Sequence, residues 1–258
     1  MAGWRILGLS VVLSITAASA AVADQISSST PVDAFINLGS SAYPDQDQIT
    51  TGNAQPWFDS SQLSRFFGGQ PTAQQEQSFD NAIIQRVEQT FTLSGVPLTL
   101  TDNPNIAAEH TLSVVSNTSS FAFPGAIGTS QIGGNGFTFI DAIAPYAQSL
   151  DQLEWIVAHN ISHELMLTFG VGENYDTTGN YIDARMANWG MIIGPNSTFS
   201  PAAAAALRAA MAPSGTDFIP AAQMINPTST PEPTTWALWG LATAALLWRQ
   251  RRKSRASA

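Results

Sequence analysis

In the stretch "PTAQQEQSFDNAIIQRVEQTFTLSG", Phe79, Ile83, Val87 and Phe91 recur one helical turn apart and share a face. Thr72 and Gln75 form a capping box ahead of them and Gly95 closes the run, which predicts a helix packing one side on a sheet. The period then shortens. Val96, Leu98 and Leu100 alternate with polar neighbours, "HTLSVVS" is β-branched, and "GFTFIDAI" follows a Gly133-Gly134-Asn135-Gly136 turn, so strands are predicted. A second helix is expected from a cap at Ser149 and Gln152, through "LDQLEWIVAHNISHELMLTF", to Gly170 at the C′ position. His159, His163 and Leu167 lie four residues apart and so fall on one stripe of it. An irregular stretch to about Thr198 precedes an alanine-rich helix with Ser200 as cap and Pro201 at its first position. This order predicts an α+β domain over 72–226. Residues 24–71, rich in Ser, Asp, Gln, Gly and Pro, are expected to be largely irregular. Asp45 and Asp47 within them lack the glycine and terminal glutamate of a calcium loop and read as an acidic turn.

The two ends carry patterns of a different kind. Arg5, an apolar run from Ile6 to Ile15 and the small residues Ala18-Ser19-Ala20 and Ala21-Val22-Ala23 make residues 1–23 a secretory signal peptide, the run being too short to span a membrane. Near the other end a Pro/Ser/Thr segment precedes an apolar helix predicted over 235–248, followed by Arg249, Arg251, Arg252 and Lys253. That helix lacks the polar face of a soluble amphipathic one. Its basic flank would stay cytoplasmic and hold the upstream domain outside. Pro231-Glu232-Pro233 ahead of the apolar helix and arginine cluster resembles the PEP-CTERM sorting signal, also called the ice-binding protein C-terminal domain, over 227–258. The resemblance implies transient anchoring in the inner membrane, handling by an exosortase-type enzyme, and delivery to the cell surface or extracellular matrix, with extracellular polysaccharide as a further partner. It implies nothing about the activity of the domain.

Charge and cysteine content narrow the partners. Setting the targeting segments aside leaves Arg65, Arg86, Arg185 and Arg208 against 18 of the 19 acidic residues, a balance near −14. Such a surface argues against nucleic acid and anionic lipid. With no cysteine, the chain has no disulfide framework, thiolate ligand or thiol nucleophile. His110, at a predicted strand start, reads as a surface histidine.

Candidate chemistry gathers at "HELMLTFGVGE", His163 to Glu173. In H-E-x-x-H zinc sites, two histidines one turn apart offer nitrogens to one metal and the glutamate deprotonates the metal-bound water. His163, Glu164 and Gly170 occupy the first-ligand, base and glycine positions of a metzincin core, which this stretch resembles. Leu167 stands where that family has its second histidine, and Glu173 where it has its third ligand. The resemblance implies a minimal metzincin-like domain, with Met186 or Met191 forming the turn beneath the metal. Three readings stand side by side. The first is a metzincin-like pseudoenzyme with an incomplete zinc site. The second is a zinc hydrolase with a shifted ligand set, His159, His163 and an oxygen of Glu173 or Asp176. The third is a non-catalytic matrix or adhesion domain.

Overall fold

The computed structural model describes residues 31–39, 42–50, 52–186 and 188–212. The signal peptide, the sorting segment and the expected domain limit at 226 lie outside these residues. The predicted helices form where their caps place them. In α2 (Ala73–Leu93), which follows the single turn α1 (Ser64–Phe67), the Thr72 and Gln75 capping box is complete and Phe79, Ile83, Val87 and Phe91 are buried. The helix α4 (Leu150–Thr168) begins at Ser149, whose hydroxyl accepts from Gln152 N, and ends before Gly170 at φ 85°. Gly170 takes this left-handed conformation without the cost a Cβ would impose. The alanine-rich α6 (Pro201–Ala210) is capped by Ser200.

The sheet corrects the expectation of an irregular N-terminal segment. Residues Val32–Asn37 form β1, an interior strand lying parallel between β3 (Leu100–Thr101) and β4 (Ala108–Ser116). Ala34 and Ile36 alternate into the core, joined from the same segment by fully buried Trp57 and Leu63. Beyond β4 comes β6 (Gly136–Phe139), also parallel, and then β5 (Gly128–Ser130), antiparallel at the edge. The short β2 (Gln55–Pro56) pairs with the end of β4. The result is a mixed sheet with helices, the expected α+β class, with the expected element order from α2 onward.

Two predicted strands are shorter than their patterns. Pro97 supplies no N–H to a ladder, and the run from Val96 pairs only at Leu100 and Thr101. The apolar "GFTFIDAI" leaves the sheet after Phe139 and turns into α3 (Ile140–Ile143). Asp141 holds that corner by accepting from the Ser60 hydroxyl and from Asn117 N at 2.6 Å.

Alternation along β6 splits its side chains between two cores. Phe137 and Phe139 join Tyr43, Ile49 and Val115 on one face, while the larger cluster, including α2 and α4, covers the other. The helix α4 is buried along most of its length, so its sequence is apolar on more than one side. Arg86 of α2 clamps it, reaching Asp151 at 3.0 Å and Glu154 more closely, with its guanidinium 4.4 Å from the Trp155 ring centroid.

Candidate functional site

A cleft of about 540 Å³ runs along α4 beside β5. His159, His163 and Leu167 line it together, as their shared stripe predicts, and Glu173 closes it from the loop beyond Gly170. Asn160 and Glu164 complete the helix side, 6% and 4% exposed. The opposing wall is backbone of β5: a Cβ on Gly128 would overlap the Glu164 carboxylate and come within 2.6 Å of Asn160 Oδ1. Only glycine lets the strand approach the helix this closely. Thr138 of β6 donates to Asn160 Oδ1 at 2.9 Å, tying the helix to the sheet at the same level.

Both histidines are oriented by backbone carbonyls. His159 Nδ1 lies 2.8 Å from the oxygen of Ile192, in α5 (Trp189–Ile192), and His163 Nδ1 lies 2.6 Å from the oxygen of Ile182. A carbonyl only accepts, so each Nδ1 carries a proton and each Nε2 is the nitrogen left for the cleft. His163 Nε2 faces Glu173 Oε1 at 3.4 Å, and the other Glu173 oxygen is 3.8 Å from Arg185 Nε. His159 Nε2 and Glu164 Oε2 are buried without hydrogen-bond partners. His159 stacks on Trp155, centroids 5.3 Å apart.

Electrostatics follow from this packing. Burial drives the His159 pKa down to about 4. Burial would lower His163 too, but the hydrogen bond with Glu173, the neighbouring Glu164 carboxylate and the Ile182 carbonyl together push it up to about 9. Glu164 is raised to about 7 by burial, against the pull of His163 and Ser130. The His163 contact holds Glu173 below the usual carboxylate range.

Other candidate residues fall elsewhere. Asp176, the alternative oxygen donor, is 6% exposed and organises its own loop, accepting from Thr178 N at 2.7 Å and Tyr181 N at 3.0 Å. Those bonds keep it off the cleft. Met186, 80% exposed, lines the rim of the cleft, and Met191 packs against the main core. His110 is half-buried, its Nδ1 2.7 Å from the Gly134 carbonyl, away from the cleft. Sequence reasoning missed Asn160, Gly128 and the carbonyls of Ile182 and Ile192. It also missed Asp183, fully buried, which accepts from Ser200 N at 2.6 Å and Ser200 Oγ at 2.9 Å and so ties α6 to the Ile182 loop. None of these has a local pattern, because each acts through a partner distant in sequence.

Fold and cleft define an α+β domain with a histidine and carboxylate site between one helix and an antiparallel edge strand. Residues 229–253 match the PEP-CTERM protein-sorting motif. Pro231-Glu232-Pro233, the apolar stretch and the arginine cluster are therefore a recognised sorting signal. Among solved structures, archaemetzincin from Methanopyrus kandleri is similar at 12% identity and a TM-score of 0.36, over 69% of this chain and 93% of that one. No curated protein matches the chain. Among the described residues no helix is long and apolar enough to cross a membrane, and no three His, Asp or Glu side chains are gathered as a metal site.

Proposed function

We propose that the chain is exported, held at the membrane by its C-terminal segment, and passed to an exosortase-type enzyme for display at the surface or in the matrix. Its domain presents a metzincin-like cleft that does not hydrolyse peptides. Leu167 carries this reading: its hydrocarbon side chain, 8% exposed, lines the cleft one turn beyond His163, where the zinc peptidase pattern needs a donor. The family's ligand set is thereby reduced to His163 and Glu173, and zinc does not fit it. Glu173 instead faces His163 Nε2. What persists is a cleft with apolar walls, including Phe123, Ile127 and Trp189, and a few buried polar groups, the usual make-up of a binding site.

The test is proteolysis by the full chain, purified in detergent and supplied with zinc, against mixed peptide substrates. No cleavage above that of the Glu164→Gln variant is expected. Cleavage by the unmodified chain that Glu164→Gln removes would overturn the reading.

A further inference from the structure

The tip of the β5–β6 hairpin carries Asn135-Gly136, the only Asn-Gly pair in the sequence, and the structure calls for both residues. The Asn135 amide is used at both ends: Oδ1 accepts from Thr111 N at 2.6 Å and Nδ2 donates to Asp45 Oδ2 at 2.7 Å. Only an amide accepts from one and donates to the other. Gly136 opens β6, where a Cβ would overlap Ser130 Oγ and come within 3.0 Å of Leu112 Cδ1, so no larger residue fits between the strands as they stand. The Asn135 carbonyl is committed as well, accepting from Gln131 N at 3.0 Å, which closes the hairpin, and from Gln48 Nε2 at 3.1 Å. Through Asp45 and Gln48 the hairpin tip holds residues 42–50, which lay Tyr43 and Ile49 against Val115, Phe137 and Phe139. Asp45 itself sits at φ 58°, a left-handed conformation unfavourable to side chains that the bond to Asn135 helps to hold.

Asn-Gly is also the pair most open to self-cyclisation, because glycine has no side chain to shield its nitrogen or restrict its torsions. We propose that Asn135 is a spontaneous deamidation site that the fold holds in check, and that its conversion releases residues 42–50. In the reaction the Gly136 nitrogen, on losing its proton, attacks Asn135 Cγ; the Cγ–Nδ2 bond breaks and ammonia leaves, giving a five-membered succinimide. Water then opens the ring at either carbonyl to leave aspartate or isoaspartate. While the hairpin is closed, the bonds to Thr111 and Asp45 and the pairing of Gly136 with Leu112 and Ser130 keep the amide carbon from swinging onto that nitrogen. Opening removes all of these restraints. Either product puts an oxygen where Nδ2 donated to Asp45, so an attraction becomes a like-charge contact in a half-buried place. Isoaspartate also routes the main chain through the side-chain carbon, one atom longer, at the turn that sets β5 against β6. The modification is therefore one-way: opening permits it, and it opposes closing. It goes beyond the non-peptidase reading and uses none of the cleft histidines.

The experiment incubates the full chain in detergent at mildly alkaline pH, folded and in urea, and follows every asparagine by peptide mass spectrometry with isoaspartyl methyltransferase labelling. In urea Asn135 should convert before the other asparagines, and about tenfold or more faster than in the folded chain, where only the open fraction reacts. Asp45→Ala removes one restraint and should raise the folded-state rate severalfold. Asn135→Asp mimics one product and should speed hydrogen exchange at the bonded amides of Gln48, Ile49 and Thr50. Adding Asp45→Asn should restore their protection, since carboxylate and amide have then changed places. Equal rates in folded and unfolded chains, or another asparagine converting first in urea, overturns the site. Asn135→Asp with those amides as protected as before, or a double variant no better protected than Asn135→Asp alone, overturns the release. Because the rates are read on the unmodified chain, a variant that misfolds does not blunt the test.

Discussion

Leu167 and His159 show how much one side chain decides when the backbone around it is kept. At 167 the helix supplies position and direction but no lone pair. Leu167→His places a third imidazole on the stripe that already carries His159 and His163, and zinc affinity measured by calorimetry should rise about tenfold or more. An unchanged affinity would show that the stripe does not converge on a metal. Asp80 makes a different point. Burial, opposed by the Trp57 Nε1–H donating at 3.0 Å and reinforced by Glu76 and Asp102, raises its pKa from 3.8 to about 7. Between those values the folded state holds a proton that the unfolded chain has released, so stability falls as pH rises through the window. Denaturant titrations at pH 4 and 7 should show Asp80→Asn losing part of that slope. A variant whose slope matches the unmodified protein would place the Asp80 proton elsewhere.

At the scale of elements, what holds the site is the join between helix and sheet. Gly128 lets β5 lie against Glu164, Thr138 of β6 fixes Asn160, and the loops carrying Ile182 and Ile192 fix the histidine rings. Those strands depend on β4, and β4 lies against β1. A chain beginning at residue 72 has the whole predicted helix–strand–helix pattern but lacks β1, Trp57 and Leu63. It exposes one side of β4 and opens the main core, and burying each such side chain is worth about 1.5–3 kcal/mol. Loss of cooperative unfolding, followed by circular dichroism, is expected of this truncation. A sharp transition would mean that β1 is dispensable.

For the whole molecule, the matched sorting motif at 229–253 marks the chain for export, and the cleft lies in the domain that precedes it. The two are separable. Truncation after Thr230 removes the motif together with the apolar stretch and arginine cluster, and the domain should appear in the culture medium with the same thermal transition as before. Retention of the truncated form on the cells would point to a surface partner recognised by the domain itself. The domain's balance near −14 makes an anionic lipid surface a poor candidate for that partner.

Helix caps at Thr72, Ser149 and Ser200, the stripe of His159, His163 and Leu167, the glycine at 170 and the sorting tripeptide were all legible in the chain. Each depends on residues a few positions apart, where spacing alone sets geometry. The hydrocarbon side chain of Leu167 on that stripe belongs with them, since side-chain chemistry is read without a fold. Tertiary structure decided the rest. "VDAFIN" is too short a run to announce an interior strand, and it becomes one because β3 and β4 flank it. The same packing diverted Asp176 into its own loop, left Met186 on the rim, and turned two isoleucine carbonyls into the groups that orient both histidines. Backbone carbonyls are the same at every residue, so which of them meets a side chain 19 or 33 positions away is settled only when the core closes.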